Sequence, residues 1–321
     1  MLHIVPNYYS KFNCIASACR HNCCIGWEID IDEDTAKFYQ DYSGPMSKRL
    51  QTDIDFSTDP PHFILGKHER CPFLNAENLC DIIIEMGEEH ICQICTDHPR
   101  FHNELPGRLE SGLGLCCEEA ARIILNQKEP AILQICGDPS NEDTEDEIIT
   151  YRDEVLSILQ NHTLSIEERI DALQLPIQID VLQWIPFLQD LEILDAAWTQ
   201  RLTELNLHWQ KIEWEGFAAH MADRMTEYEQ LLVYLIYRHM ANAPSLDDAD
   251  ARAAFAVLGY RLVYALGAVI FTLRGGFSFE DQVELSRLFS SEIEYCEDNL
   301  YAIFDELYES KVFLYDTTKD F

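Results

Sequence analysis

The distribution of cysteine is the feature that most constrains how this chain folds. Of the 12 cysteines in 321 residues, ten lie between residues 14 and 117. They form three clusters and a final pair: Cys14, Cys19, Cys23 and Cys24; Cys71 and Cys80; Cys92 and Cys95; Cys116 and Cys117. Thiolates a few residues apart can turn toward one ion, and a second pair elsewhere in the chain completes its coordination. The spacing therefore predicts a metal centre built by residues 14–117.

Core packing and disulfide bonding account less well for these cysteines. Small buried hydrophobic residues would not be paired at the spacing of metal ligands. A disulfide framework needs an oxidising compartment, and the opening residues MLHIVPNYYS lack the basic and apolar segments of a secretory signal. We therefore expect a cytoplasmic protein with reduced thiols. Thiolate sites suit zinc and iron–sulfur clusters alike, so the residues leave the metal open.

The chain is strongly acidic, with 57 Asp and Glu residues, 23 Lys and Arg residues and a formal net charge of −34. Such a surface repels phosphate, which argues against nucleic acid and anionic membranes as partners and favours partners rich in lysine or arginine. The apolar segment Phe255–Leu273 is nearly long enough to span a bilayer. Because Arg261 lies in its middle, we expect a buried core helix and no membrane insertion.

Composition and periodicity divide the chain into three parts. Residues 1–136 form a cysteine-rich metal-binding region, 137–147 an acidic linker or loop, and 148–321 a helical domain. The expected fold is mainly α, with an irregular cysteine-rich N-terminal region packed on a C-terminal helical bundle. Apolar periodicity predicts helices in the following segments: Ile148–Gln160, Val181–Leu205 with a kink or division at Pro186, Asp223–Ala241, Ser245–Leu273 with a stop at Gly275–Gly276, and Phe279–Glu309.

Three segments of the cysteine-rich region resemble the signatures of a known family. They read PNYYSKFNCIASACRHNCCIGWEIDID at residues 6–32, CPFLNAENLCDIIIEMGEEHICQICTDHPR at 71–100, and GLGLCCEEAARIIL at 112–125. On these motifs the chain resembles the flagellin lysine-N-methylases of the FliB type. Part of the pattern is shared with a broader group of zinc- or iron-chelating domains.

The resemblance implies an enzyme that binds an iron–sulfur cluster of the [4Fe–4S] type. It would transfer a methyl group from S-adenosylmethionine to lysine side chains of flagellin. By position, the resemblance supplies nine candidate cluster ligands: Cys14, Cys19, Cys23, Cys24, Cys71, Cys80, Cys92, Cys95 and Cys116. One cluster takes four thiolates, and our first choices are Cys19, Cys23, Cys71 and Cys95. The alternative is a non-catalytic zinc- or iron–sulfur-binding interaction or redox protein.

Further side chains near the cysteines are candidates for binding the methyl donor or the substrate amine. Tyr8 and Trp27 flank the first cluster and could form aromatic walls, although packing in the core is the more common role of such residues. Arg100 follows the third cluster and could meet a carboxylate of the donor, or a surface acid instead. The sequence does not single out a catalytic base.

Overall fold

The computed structural model describes residues 1–137 and 146–317, so most of the predicted linker 137–147 lies outside the described residues. The chain separates into two compact units by its internal contacts. The cysteine-rich unit comprises Asn13–Phe101, and the helical unit comprises Met1–Phe12 with His102–Phe321. The compact units divide the chain after Phe12 and after Phe101. This division does not test the predicted boundaries near residues 136 and 147, which stay a prediction.

The helices and strands of the described residues run in the following order. The strands are β1 (Leu2–Pro6), β2 (Ile54–Asp55), β3 (His62–Phe63), β4 (Arg100–Leu105), β5 (Arg108–Leu113) and β6 (Leu133–Cys136). The cysteine-rich unit has the short helices α1 (Glu33–Asp41), α2 (Ser47–Thr52), α3 (Asp81–Met86) and α4 (Gln93–Asp97). The helical unit has α5 (Glu118–Leu125), α6 (Glu147–Leu159), α7 (Ile166–Ala172), α8 (Val181–Asp190), α9 (Ala196–His208), α10 (Trp214–Met221), α11 (Thr226–His239), α12 (Leu246–Arg274), α13 (Phe279–Phe289) and α14 (Glu297–Thr317).

The prediction of a mainly α fold is confirmed, but a four-stranded sheet was not expected. Its strand order is β4-β5-β1-β6, with β1 parallel to β5 and antiparallel to β6. Leu2 lies opposite Arg108, and His3 lies opposite Cys136. Because β1 pairs with strands about a hundred residues away, no local alternation of polar and apolar residues reveals the sheet.

Helix α12 forms the centre of the helical unit, as predicted for Phe255–Leu273. Within the described residues it is long and apolar enough to cross a membrane, but 83% of its most apolar window is buried inside the protein. Gly267 permits close packing, because a Cβ atom there would lie 2.9 Å from the ring of Phe217. Gly275 ends the helix in a left-handed conformation with φ of 73°, which agrees with the predicted stop.

The apolar run Val181–Leu205 is divided into two helices, but the division is not at Pro186. Helix α8 continues through Pro186 and ends at Asp190. The break comes before Asp195, whose side chain accepts the backbone N–H of Ala197 and caps α9. Glu292 also accepts a hydrogen bond from the backbone N–H of Leu194 at 3.1 Å. Asp195 satisfies an N–H group in the first turn of the new helix, and Glu292 holds the residue before the cap, so the two carboxylates fix where the run divides.

Candidate metal centre

Backbone hydrogen bonds bring the first two cysteine clusters together. The carbonyl of Cys24 accepts the backbone N–H of Cys71 at 2.9 Å, and Ile25 forms an antiparallel bridge with Arg70. The next residue, Gly26, has φ of +94°, a conformation that favours glycine. Cys24 and Cys71 therefore lie side by side although they are far apart in the sequence.

The segment between Cys71 and Cys80 folds into a tight loop around Asn75. The Asn75 side chain accepts the backbone N–H of Glu77 and of Leu79, both at 3.0 Å. Leu74 and Cys80 form an antiparallel bridge that closes the loop. Cys80 then stands immediately before α3, at the end of a helix where backbone N–H groups are available to a thiolate.

The third cluster is held in place by a carboxylate that follows the first cluster in the chain. Cys92 precedes α4, and the sulfur atoms of Cys92 and Cys95 lie 3.4 Å apart. Asp32 accepts the backbone N–H of Gln93 at 2.8 Å through one oxygen and the N–H of Thr35 at 3.0 Å through the other. Asp32 therefore caps α1 and fixes the turn that carries this cysteine pair.

Five thiols share one hydrophobic core in the cysteine-rich unit. Cys71 and Cys92 are buried, and Cys24, Cys80 and Cys95 are partly buried against the same cluster of apolar side chains. In the part of the chain that the structure describes, no disulfide joins these five cysteines. A hydrogen bond with the Cys23 thiol and burial raise the pKa of Cys24, and negative charge on Cys23, Cys71 or Cys80 raises it further. The structure thus brings together members of all three predicted clusters.

Backbone N–H groups act on two of the thiols of this core. Those of Phe73 and Leu74 act to lower the pKa of Cys71, and those of Ile82 and Ile83 act to lower the pKa of Cys80. Burial is the largest effect on both thiols, and it raises the pKa of Cys71 to about 11. Donors aimed at sulfur favour the thiolate, which is the form that binds a metal. A bound cation would supply the charge that burial otherwise disfavours.

Trp27 and Cys23 lie beside this core. The indole N–H of Trp27 donates to the backbone carbonyl of Cys23, and the indole ring lies 6.2 Å from the ring of His98. Hydrogen bonds from the Cys24 thiol and from His98 lower the pKa of Cys23. The predicted aromatic side chain is therefore close to the candidate centre.

The remaining candidates of the cysteine-rich unit fall in different places. Cys14 is exposed and accepts the backbone N–H of Ala16 at 3.4 Å, whereas the Cys19 thiol donates to the carbonyl of His21 at 3.1 Å. Arg100 donates to the carbonyl of Thr96 at 3.3 Å.

Two further candidates, Tyr8 and Cys116, belong to the helical unit. Tyr8 is buried there with 2% of its surface exposed. The Cys116 thiol hydrogen-bonds Tyr295 in that unit, and burial raises its pKa to about 12.

The donor set fits a soft metal or an iron–sulfur cluster, because five thiols lie around one core and backbone N–H groups act to favour the thiolate form of two of them, Cys71 and Cys80. Cys24, Cys71, Cys80, Cys92 and Cys95 are the residues that would hold it. Among residues 1–137 and 146–317, however, no three His, Cys, Asp or Glu side chains are arranged closely enough to hold an ion. Coordination would therefore require these thiols to rotate toward a common point.

Sequence reasoning missed Asp32, although this residue positions the Cys92–Cys95 turn. An acid before a helical segment is a recognisable capping signal, and Asp32 fits that signal. Its second hydrogen bond reaches Gln93, 61 residues away, and no sequence pattern predicts that contact.

Comparison with known proteins relates the chain to a family of methylases. A model of the FliB lysine N-methylase C-terminal domain matches residues 112–317, which is more than half of the chain. A lysine-N-methylase of Salmonella typhimurium is 28% identical over 142 residues, covering 40% of this chain and 33% of that protein. The lysine-N-methylase of Salmonella choleraesuis has the same identity and coverage.

A further relative, the flagellar biosynthetic protein FliU of Salmonella muenchen, is 27% identical over 134 residues, which cover 40% of this chain and 79% of that protein. The chain thus spans about a third of the length of the two lysine-N-methylases that it matches. No solved structure matches it significantly. Because the family model covers most of the helical unit, the chain belongs to the FliB lysine N-methylase family.

Proposed function

We propose that the protein transfers a methyl group from S-adenosylmethionine to the Nζ atoms of flagellin lysines. Family membership and the names of the relatives support lysine methylation, and the name of the Salmonella muenchen protein supports a flagellar role. The net charge of −34 would attract a lysine-bearing substrate. We also propose a cytoplasmic location, where the thiols of the cysteine-rich unit stay reduced.

The proposed iron–sulfur centre rests on one observation, the convergence of thiols from all three cysteine clusters on one core. We infer that four of Cys24, Cys71, Cys80, Cys92 and Cys95 hold a [4Fe–4S] cluster. This choice keeps Cys71 and Cys95 from our first sequence-based set and replaces Cys19 and Cys23. A bound cluster would supply electron-transfer chemistry, with a potential set by burial and by hydrogen bonds to sulfur.

One distance favours zinc as a second candidate. Two thiolates on a tetrahedral zinc ion, with bonds of about 2.3 Å, lie about 3.8 Å apart. The Cys92 and Cys95 sulfur atoms are 3.4 Å apart, which is close to that separation. A zinc-stabilised domain would give the non-catalytic binding protein that is the alternative function.

The proposed reaction balances without an external oxidant or reductant. The S–CH3 bond of the donor breaks as the N–CH3 bond forms, and the donor sulfur keeps the bonding electron pair. The amine must first lose a proton to the solvent, because the ordinary pKa of lysine is about 10.4. An apolar, aromatic surrounding favours the neutral amine, whereas a carboxylate in contact with it would hold the proton. The acidic residues of the chain would therefore act on the charged lysine before it loses its proton, by attracting and binding the substrate, and not in contact with the reacting amine.

Metal analysis of the protein purified without oxygen tests the centre. We expect iron and acid-labile sulfide in equal amounts and a brown colour. Cys71→Ser should lose the metal, whereas Cys136→Ser, at an exposed cysteine of the helical unit, should retain it. Stoichiometric zinc without iron would overturn the cluster proposal and favour the zinc-binding alternative.

Methyl transfer is tested by mass spectrometry of flagellin incubated with the loaded protein and S-adenosylmethionine. Each transferred methyl group replaces a hydrogen on a lysine nitrogen, so the product should gain the mass of a CH2 group at each modified site. Methylation that Cys71→Ser abolishes and Cys136→Ser retains would support both the activity and the centre. A flagellin that stays unmodified with metal-loaded protein would refute the methylase proposal.

A further inference from the structure

The helical unit contains a second candidate site, a cavity of about 860 Å³ open to solvent. Segments of α7, α10 and α12 form its walls together with the residues before α8 and the single turn Trp209–Lys211. Ile166, Ile179 and Ala265 supply part of an apolar lining. A cavity of this size and lining is typical of a ligand site and exceeds the space that one side chain occupies.

Four aromatic side chains line this cavity. Trp209 and Trp214 meet edge to face with their ring centroids 5.3 Å apart, and Trp214 remains 37% exposed. Tyr260 and Tyr264 lie on the wall formed by α12, with their ring centroids 6.1 Å apart. Indole and phenol faces attract cations, and an alkyl stem attached to the cation can pack on neighbouring apolar surface.

The two guanidinium groups of the lining are already paired with acids. Arg261 contacts Glu167 at 2.8 Å, and Arg169 contacts the buried Glu229 at 2.6 Å. Both positive charges of the cavity are thus neutralised by neighbouring carboxylates.

Two further carboxylates line the same cavity. Asp180 accepts the neutral backbone N–H of Leu182 at 3.0 Å, and it pairs with no cation among the described residues. Glu215 is exposed, and its carboxylate makes no hydrogen bond or ion pair with another residue in the described part of the chain. The cavity therefore combines aromatic walls with uncompensated negative charge, which is complementary to a cation and not to a carboxylate or phosphate.

We propose that this cavity binds a lysine side chain of the protein substrate, in its unmethylated or methylated form, with the flanking residues of the peptide. The apolar wall would take the butyl stem, Trp209 and Trp214 would face the ammonium group, and Asp180 and Glu215 would supply the opposite charge. The substrate class rests on the proposed lysine methylation, whereas the binding site rests on the cavity itself. The methyl donor is the competing occupant, because it also carries a cation and an aromatic ring.

Binding is measured by calorimetric titration of the full chain with acetyl-Gly-Gly-Lys-Gly-Gly-amide and with its Nε-trimethyl form. The norleucine peptide has a similar alkyl stem without the charge and should bind at least about tenfold more weakly. Trp214→Leu should weaken the lysine peptide about tenfold, which is the effect of one partly desolvated cation–π contact. Tyr301→Leu removes an exposed aromatic ring outside the cavity and should leave binding unchanged.

The contribution of negative charge to lysine-peptide binding is tested by substituting two neighbouring acids, one inside the cavity lining and one outside it. Glu215→Gln should weaken lysine-peptide binding about threefold and reduce its dependence on salt, whereas Glu213→Gln, outside the lining, should do neither. Equal binding of the norleucine peptide, or full affinity in Trp214→Leu, would overturn the proposed site. Competition by S-adenosylhomocysteine would overturn it in favour of a donor site.

The two proposals fail in different ways. Lysine-peptide binding that Trp214→Leu weakens would support the cavity even if no methyl transfer were detected. Methylation of flagellin with an unchanged KM in Trp214→Leu would support the enzyme and refute the cavity as its substrate site.

Discussion

Removing the carboxylate of Glu110 should strongly destabilise the helical unit. Glu110 on β5 and Arg152 on α6 are both fully buried, and they form two hydrogen bonds of 2.7 and 2.9 Å. Burial acts to lower the pKa of Arg152, but the hydrogen bonds and charge of Glu110 raise it above its ordinary value. Arg152 therefore stays charged in the folded protein, and the negative charge of Glu110 compensates its buried positive charge.

The magnitude follows from this geometry. Glu110→Gln keeps the size of the side chain and removes its charge, so two charge-assisted hydrogen bonds, each contributing about 1.5–3 kcal/mol, are weakened or lost. Arg108 also loses the carboxylate that it contacts at 3.1 Å. Breaking one side of a buried ion pair costs about 3–5 kcal/mol, and we expect a loss of about 4 kcal/mol. At about 2–4 °C per kcal/mol, the melting temperature should fall by about 10 °C.

Thermal unfolding followed by circular dichroism at a helical wavelength checks this expectation. Asp153→Asn is the matched control, because Asp153 contacts Arg152 at 2.7 Å but is half exposed, and its loss should cost less than about 1 kcal/mol. The double variant Glu110→Leu with Arg152→Met removes this pair of charges and should recover only part of the stability, because the buried Arg108 still lacks the carboxylate that it contacts. Equal effects of Glu110→Gln and Asp153→Asn would refute the reasoning.

Three further predictions concern positions elsewhere in the fold. Asp32→Asn should weaken metal retention about 10–100-fold in a chelator competition, because Asp32 holds the third cysteine cluster in place, and Glu33→Gln should not. In the folded protein, burial acts to raise the pKa of Asp281. Hydrogen bonds from Ser278, the residue that caps α13, bring this pKa below its ordinary value. The resulting stabilisation is present above about pH 4 and is lost as the pH falls below that value, so the loss of about 1 kcal/mol in Asp281→Asn should be seen by urea unfolding at pH 7 and should shrink as the pH is lowered below about 4. Gly267→Ala should lower the melting temperature by overpacking α12, whereas Gly276→Ala, with open space around its Cα, should not.

Most of the long helices of the second half could be predicted because their signals are local, whereas the short helix α10 was not predicted. Ser245 caps α12 and Gly275 ends it, and both residues mark these positions in the sequence. The sheet could not be predicted, because β1 depends on partners from β5 and β6 that are distant in the chain. Local preferences determine where an element can form, whereas pairing across a hundred residues is determined by the whole fold.

The sequence predicted that the cysteines act together, but it could not choose among them. Cys19 and Cys24 are equally suitable as ligands by their spacing in the sequence. They differ in the structure because the backbone hydrogen bond between Cys24 and Cys71 places Cys24 beside the second cluster. The aromatic cavity had a readable signal in Trp209 and Trp214, two tryptophans close together in the chain, the second of which is flanked by acids on both sides. The other two aromatic residues of the cavity, Tyr260 and Tyr264 on α12, could not be assigned to it from the sequence, because their position beside the tryptophans depends on how the helices pack.

The 3.4 Å separation of the Cys92 and Cys95 sulfur atoms has a practical consequence for anyone who handles this protein. Two thiols this close can form a disulfide with little movement once oxygen reaches them and removes two electrons and two protons. Oxygen and metal would then compete for the same pair of atoms, and aerobically prepared samples should accept iron or zinc only after treatment with a reductant.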